Sequence, residues 1–215
     1  MMISKLLYKE LRLAAHPTMY IFTLLGALVL VPAYPYGLVF MFGSLAPSIT
    51  FMYCRETRDI YYTLLLPVPK RAVVAGKCAL TVSMQLAMLA VAAIFALLRT
   101  VIGADSNPVG IEPNVAYFGF GLMILAVFDF VFLTQFYKTA YKVGRAFALA
   151  MVPEIILILA METSSHIPAL ALIDGTSAPE LMTQLPILAA GAIIYAAVLL
   201  AAYKISARRF ESVDV

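Results

Sequence analysis

The sequence has no tryptophan, two cysteines, two histidines and few charges. Only 13% of its 215 residues are charged, whereas 63% are hydrophobic, and the mean hydropathy is +0.95. A soluble domain is roughly one quarter charged and one half apolar, so this balance excludes a soluble fold. Without tryptophan, anchoring at a membrane interface falls to the twelve tyrosines and the basic residues. Cys54 and Cys78 flank a charged stretch; in a reducing compartment they imply neither a disulfide nor a metal site. His16 and His166 fall on opposite sides of the expected membrane and cannot share a metal. No G-x-x-x-x-G-K-[ST] phosphate loop is present, so the chain does not bind ATP through one, and no H-E-x-x-H zinc motif is present either.

What the sequence does have is apolar runs. A spanning helix needs about 20 mainly apolar residues, and the chain has room for six and little else. The expected fold is an all-α integral membrane protein forming a single transmembrane domain over 1–215. The spans are expected at about Pro17–Val31, Tyr36–Cys54, Cys78–Leu98, Asn114–Phe136, Ala146–Ala160 and Leu185–Tyr203. Residues 1–16 read as a basic amphipathic helix lying in the interface. Leu6, Leu7, Leu11 and Ala14 share one face, with Lys5, Lys9 and Arg12 opposite. Glu10 falls inside the apolar sector, where a carboxylate is expected to snorkel or to pair locally; the alternative is a contact to a basic residue of the charged stretch. The segment 161–184 is the longest outer connection, and its apolar IPALALI piece is too short to span but long enough for a re-entrant hairpin.

Charge orients the spans. Fourteen of the fifteen basic residues fall on one side: before span 1, between spans 2 and 3, between spans 4 and 5, and after span 6. Arg99 is the exception. The positive-inside rule therefore places both termini in the cytoplasm. The cytoplasmic stretch from Arg55 to Lys77, RETRDIYYTLLLPVPKRAVVAGK, is too charged for hydrocarbon and too apolar for a simple solvated loop. Pro67 and Pro69 stiffen its middle. It reads as a short interfacial helix, a rigid turn and the start of the next span.

An amphipathic N-terminal helix, six spans, cytoplasmic ends and the LLPVPKR–VV–GK pattern between spans 2 and 3 resemble the type-2 ABC exporter permeases. More narrowly, the chain looks like the small permeases that export antimicrobial or cytolytic peptides. The resemblance implies a bacterial cytoplasmic-membrane subunit that is not itself an enzyme. It implies a separate ATP-binding-cassette ATPase carrying ATP and Mg, a second permease copy or a homologous permease, contact with membrane lipid, and no nucleic acid. It also implies that residues 55–77 couple to the ATPase. Leu64, Leu65 and Leu66 would be the apolar anchors, Glu56, Arg58 and Asp59 would set register, and Pro67, Lys70 and Arg71 would complete the surface. The interface helix, with Lys5, Lys9, Glu10 and Arg12, would act as a gate lever. The chain lacks the large outer domain of bigger relatives, which argues against lipid-linked polysaccharide as substrate.

Two rivals carry different expectations. A substrate-capture subunit of an energy-coupled vitamin importer would place its pocket in the outer loops. A membrane scaffold or immunity protein would transport nothing. Two acids lie inside the spans, Asp129 and Glu154, the latter beside Pro153. Charged groups at such depth usually face a cavity or a partner. They are expected either to make a structural polar contact between helices or to line the inner part of a translocation path.

Overall fold

The computed structural model describes residues 2–213. Helix α1 (Met2–Lys9) continues as a π-helical turn over Glu10–Ala14. His16 then caps α2 (Pro17–Leu24), its ring accepting the Thr18 N–H, with Pro17 in the first helical position. A 3-10 segment, Leu25–Leu30, extends α2. The chain bends by 97° between Ser4–Ala14 and Pro17–Leu30, so α1 lies across the direction of the span that follows. Next come α3 (Leu38–Glu56), the short α4 (Asp59–Leu64) and α5 (Lys70–Val101). The remaining helices are α6 (Val115–Phe136), α7 (Val143–Ser164), the single turn α8 (Ala171–Asp174) and α9 (Ala178–Glu211). Five helices (α3, α5, α6, α7 and α9) are long and apolar enough to cross a membrane, and the bent α1–α2 pair supplies a sixth candidate span. No strand occurs among the described residues.

Helix α6 is the centre. Of its most apolar window 61% is buried, against 17% for α9, whose Met182, Ile193 and Leu200 face outward. Asn114 starts α6 by accepting the Tyr117 N–H, and the helix is apolar all round, as a helix surrounded by others must be. Phe128, Phe132 and Phe136 form a ladder along it, joined edge-on by Phe51 of α3. Helix α5 has 32 residues, about 48 Å, and overhangs a hydrocarbon layer of about 30 Å.

Both described ends of the chain meet at one face, the face that carries the basic residues. There Lys70 donates to the Val213 carbonyl (2.6 Å), and Lys77 reaches Glu10 of the N-terminal segment. The opposite face carries Asp105, Glu112, Glu162, Asp174 and Glu180. Arg99, the one basic residue there, is only 5% exposed. It lies 3.5 Å from Glu112 and also donates to the Asp105 carbonyl.

The last connection is shorter than the expected 161–184. Helix α7 runs on to Ser164, and α9 begins at Ala178 behind a capping box in which the Ser177 and Glu180 side chains satisfy each other's backbone N–H groups. Between them lie only the 3-10 turn Pro168–Leu170 and α8, with Ile167 and Leu172 exposed.

Candidate functional site

The charged stretch folds as a shelf on the basic face. Thr57 ends α3, and Arg58 adopts a left-handed conformation (φ 55°), reversing the chain into α4. A non-glycine residue in that region costs about 1–2 kcal/mol, so the surroundings must hold the turn. They do so through four charges. The Lys77 Nζ lies 2.6 Å from Glu10 Oε2 and 2.7 Å from Asp59 Oδ2, and the Lys9 Nζ lies 3.0 Å from Glu10 Oε1 and 2.6 Å from Asp59 Oδ1. Each cation touches both anions, forming a closed ring with no net charge. Lys77 spends its third proton on Cys54 Sγ at 3.0 Å, and Lys9 donates to Thr63 Oγ1 at 2.8 Å. Lys77 and Glu10 are buried. Burial alone would push the Asp59 carboxyl up, but Lys77 and Lys9 together outweigh it and hold Asp59 below the usual carboxylate range.

The ring ties α1, α4 and α5 into one body, and in it Glu10 meets both expectations at once, the local pair and the contact to the charged stretch. The carboxylate does not snorkel. It pairs with Lys9 beside it and also with Lys77 of the charged stretch, because the 97° bend lays α1 against α5. Asp59 faces the same ring rather than solvent.

Tyr61 and Tyr62 of α4 and Leu65 and Leu66 just past its end face outward, the last two 67% and 51% exposed, flanked by the exposed Glu56, Arg58 and Pro67. Leu64 is half-buried and packs, with the buried Ile60, against the aromatic core. Lys70 and Arg71 hold the end of α9. Arg71 grips Glu211 with two nitrogens (2.5 and 3.2 Å), and Lys70 lies 5.6 Å from the Phe210 ring centre. On the interface helix, Lys5 and Arg12 are exposed, with Arg12 near the Tyr8 ring.

Asp129 and Glu154 are both fully buried inside the bundle. Gln85 Nε2 donates to Asp129 Oδ1 (3.0 Å), and Gln85 Oε1 accepts from Tyr195 (2.7 Å), joining α5, α6 and α9. Ser44 donates to Glu154 Oε1 at 2.5 Å, joining α3 to α7. Asp129 Oδ2 and Glu154 Oε2 find no hydrogen-bond partner among the described residues. One oxygen of each acid thus makes the helix contact expected of it, and the other is left unpaired among the described residues. Asp129→Asn with Glu154→Gln keeps both hydrogen bonds and removes both charges. It is therefore expected to leave expression, melting temperature and transport intact, and transport falling with unchanged melting would restore the path reading.

One clamp on the acidic face escaped the sequence reading. Glu162, near the end of α7, accepts the backbone N–H groups of Gly37 and of Ile111 (3.2 Å), pinning two loops 74 residues apart. Its only sequence signal was an acid at a span end, which is commonplace.

This is a multi-pass, all-α membrane protein whose basic face carries a short helical shelf held by an ion ring. It belongs to a transporter family: residues 5–211 match the family described as ABC-2 family transporter protein. No curated protein and no solved structure matches the chain. The family makes the chain a membrane component of an ABC transporter, a permease rather than a catalyst.

Proposed function

We propose that this chain is the permease subunit of an ATP-driven exporter that moves amphipathic or hydrophobic peptide-like substrates. A separate cassette ATPase docks on the α4 shelf, and a second permease, identical or homologous, completes the path. The observation that carries this reading is the shelf itself: two tyrosines and two leucines exposed on and just past a short helix that a neutral ion ring anchors. Aromatic and aliphatic anchors rimmed by charge are what a protein interface needs. The basic face is then cytoplasmic, as the charge asymmetry requires. The family match favours transport over the vitamin-capture and scaffold readings.

Within this reading, exposure sorts the residues of the shelf. Leu65, Leu66, Tyr61 and Tyr62 are the contact, with Glu56 and Arg58 at its rim. Asp59, Lys70 and Arg71 act one layer behind, holding α4 and the end of α9 in place. Losing a buried anchor costs about 2 kcal/mol, roughly 30-fold in affinity. Leu65→Asp combined with Tyr62→Asp is expected to abolish co-purification of the cassette ATPase co-expressed from the same genome, with the permease still inserted and folded. Co-purification at the unmutated level would overturn the docking assignment.

A further inference from the structure

At the acidic face, the last turns of α5 and the first turns of α6 and α9 diverge and leave a groove of about 650 Å³. That is within the 300–1,000 Å³ range of small-ligand sites. The groove is two-sided in chemistry. Leu97 of α5, Phe118 of α6 and Leu181 of α9 form its apolar walls, whereas Arg99, Glu112, Asp174 and Glu180 line its polar part.

These four charges are not equivalent. Arg99 and Glu112 are buried and paired with each other. Asp174 and Glu180 are half-buried and have no ion-pair partner among the described residues. Asp174 accepts only the Glu112 backbone N–H (2.7 Å), and Glu180 serves the capping box with Ser177. The groove therefore carries two uncompensated negative charges. Arg99 lines the groove as well, and its buried Nη1 has no hydrogen-bond partner among the described residues; a lone buried donor in a native site calls for an acceptor. A basic group, an apolar body and a carbonyl-type oxygen are the three features that would satisfy these walls together.

We infer that the groove binds a cationic amphiphile of peptide-like chemistry. Its basic group lies at Asp174 and Glu180, its amide oxygen near Arg99, and its apolar part along Leu97, Phe118 and Leu181. The inference rests on the export reading only for the side of the membrane the groove faces. The binding itself is read from charge and shape, so its failure would leave ATPase docking untouched.

The test uses purified full-length protein in a neutral maltoside detergent, with a bimane fluorophore on Thr176→Cys at the groove edge. Three matched probes are titrated: N-dodecanoyl-lysine amide, N-dodecanoyl-glutamine amide and N-dodecanoyl-glutamate. The lysine amide is expected to give a saturable signal with a midpoint about tenfold below that of the glutamate probe. Asp174→Asn with Glu180→Gln should erase that preference. Both substitutions keep an acceptor for the Glu112 N–H and a side chain able to complete the capping box, so the fold survives them. Equal midpoints for the cationic and anionic probes would overturn the proposal, as would a preference that persists in the double variant. A short-chain phosphatidylethanolamine that gives the same saturable signal at a lower midpoint than the lysine amide would assign the groove to a lipid headgroup and overturn the proposal equally.

Discussion

Lys77→Met is expected to destabilise the protein by about 3–5 kcal/mol and to free α4 from the body, because removing one partner from a buried ion pair strands the other. Lys77 is fully buried and supplies one of only two positive charges in the ring. Without it, Glu10 and Asp59 share Lys9, and the buried ring carries a net negative charge. Methionine is long and unbranched enough to fill the space of the lysine stem, so the loss is electrostatic rather than a cavity. Trypsin cleavage at Arg58 and hydrogen exchange across Ile60–Leu66 should both rise, and the melting temperature should fall. Adding Glu10→Gln restores neutrality and should recover more than half of the loss. Unchanged cleavage and melting in Lys77→Met would mean that the ring does not hold the shelf. The pH dependence follows from the sign of the Asp59 shift. A carboxylate held below its usual value stabilises the fold fully above that value, 3.8, and loses the contribution only as pH falls through the lower folded value. Exchange at α4 in the unmutated protein should accordingly be flat from neutral down to about pH 5 once corrected for intrinsic rates.

The ring also marks where the sequence stops being readable. The spans were legible because each is a long apolar run, and the two-faced charge pattern was legible because it needs only counting. That Glu10 could meet a basic residue of the charged stretch was one of two readings, but that the partner is Lys77, 67 residues on, was not legible. It depends on the 97° bend, and the bend comes from a π-turn and the His16–Pro17 cap rather than from hydrophobic pattern. The same holds for Arg99. Counting made it an exception to the charge rule, whereas the structure folds Glu112 onto it and removes the exception. That Lys70 and Arg71 would also meet the end of α9 was not legible, because nothing local indicates that it returns beside them. The helix ends were misjudged where hydropathy was the only guide: Ser177 and Glu180 form an S-x-x-E capping signal that sets the start of α9 seven residues before the apolar run alone suggests. The close crossing of α6 and α9 had a signal as well, a Gly-x-Gly at 119–121 and the small-residue run around Gly191.

That crossing carries the second large effect. Gly191→Leu is expected to part α9 from α6. A Cβ on Gly191 would sit 2.3 Å from the Gly119 carbonyl oxygen, and one on Gly119 would sit 2.7 Å from the Ile187 carbonyl oxygen, one turn earlier on α9. Both obstacles are backbone, so no rotamer change relieves them and the helices must separate. Inside a membrane this matters more than in water, because lipid is as apolar as leucine and helix association rests on close packing and polar contacts. Helix α9 buries little of its apolar surface, so it depends on this seam and on a few hydrogen bonds along it: Gln184 accepting the Ala116 N–H, Tyr195 to Gln85, and Arg209 to the Thr134 carbonyl. Overpacking costs about 1–3 kcal/mol where side chains can shift, so Gly191→Leu should cost at least the upper end, and Gly191→Ala should also destabilise. The control is Gly144→Ala in α7, where an added Cβ meets nothing within 4 Å. Helix propensity there favours alanine by up to about 1 kcal/mol, so the same chemical change should be neutral or stabilising. Melting temperatures moving in opposite directions at the two glycines would establish the seam; a common shift would mean that α9 is held elsewhere.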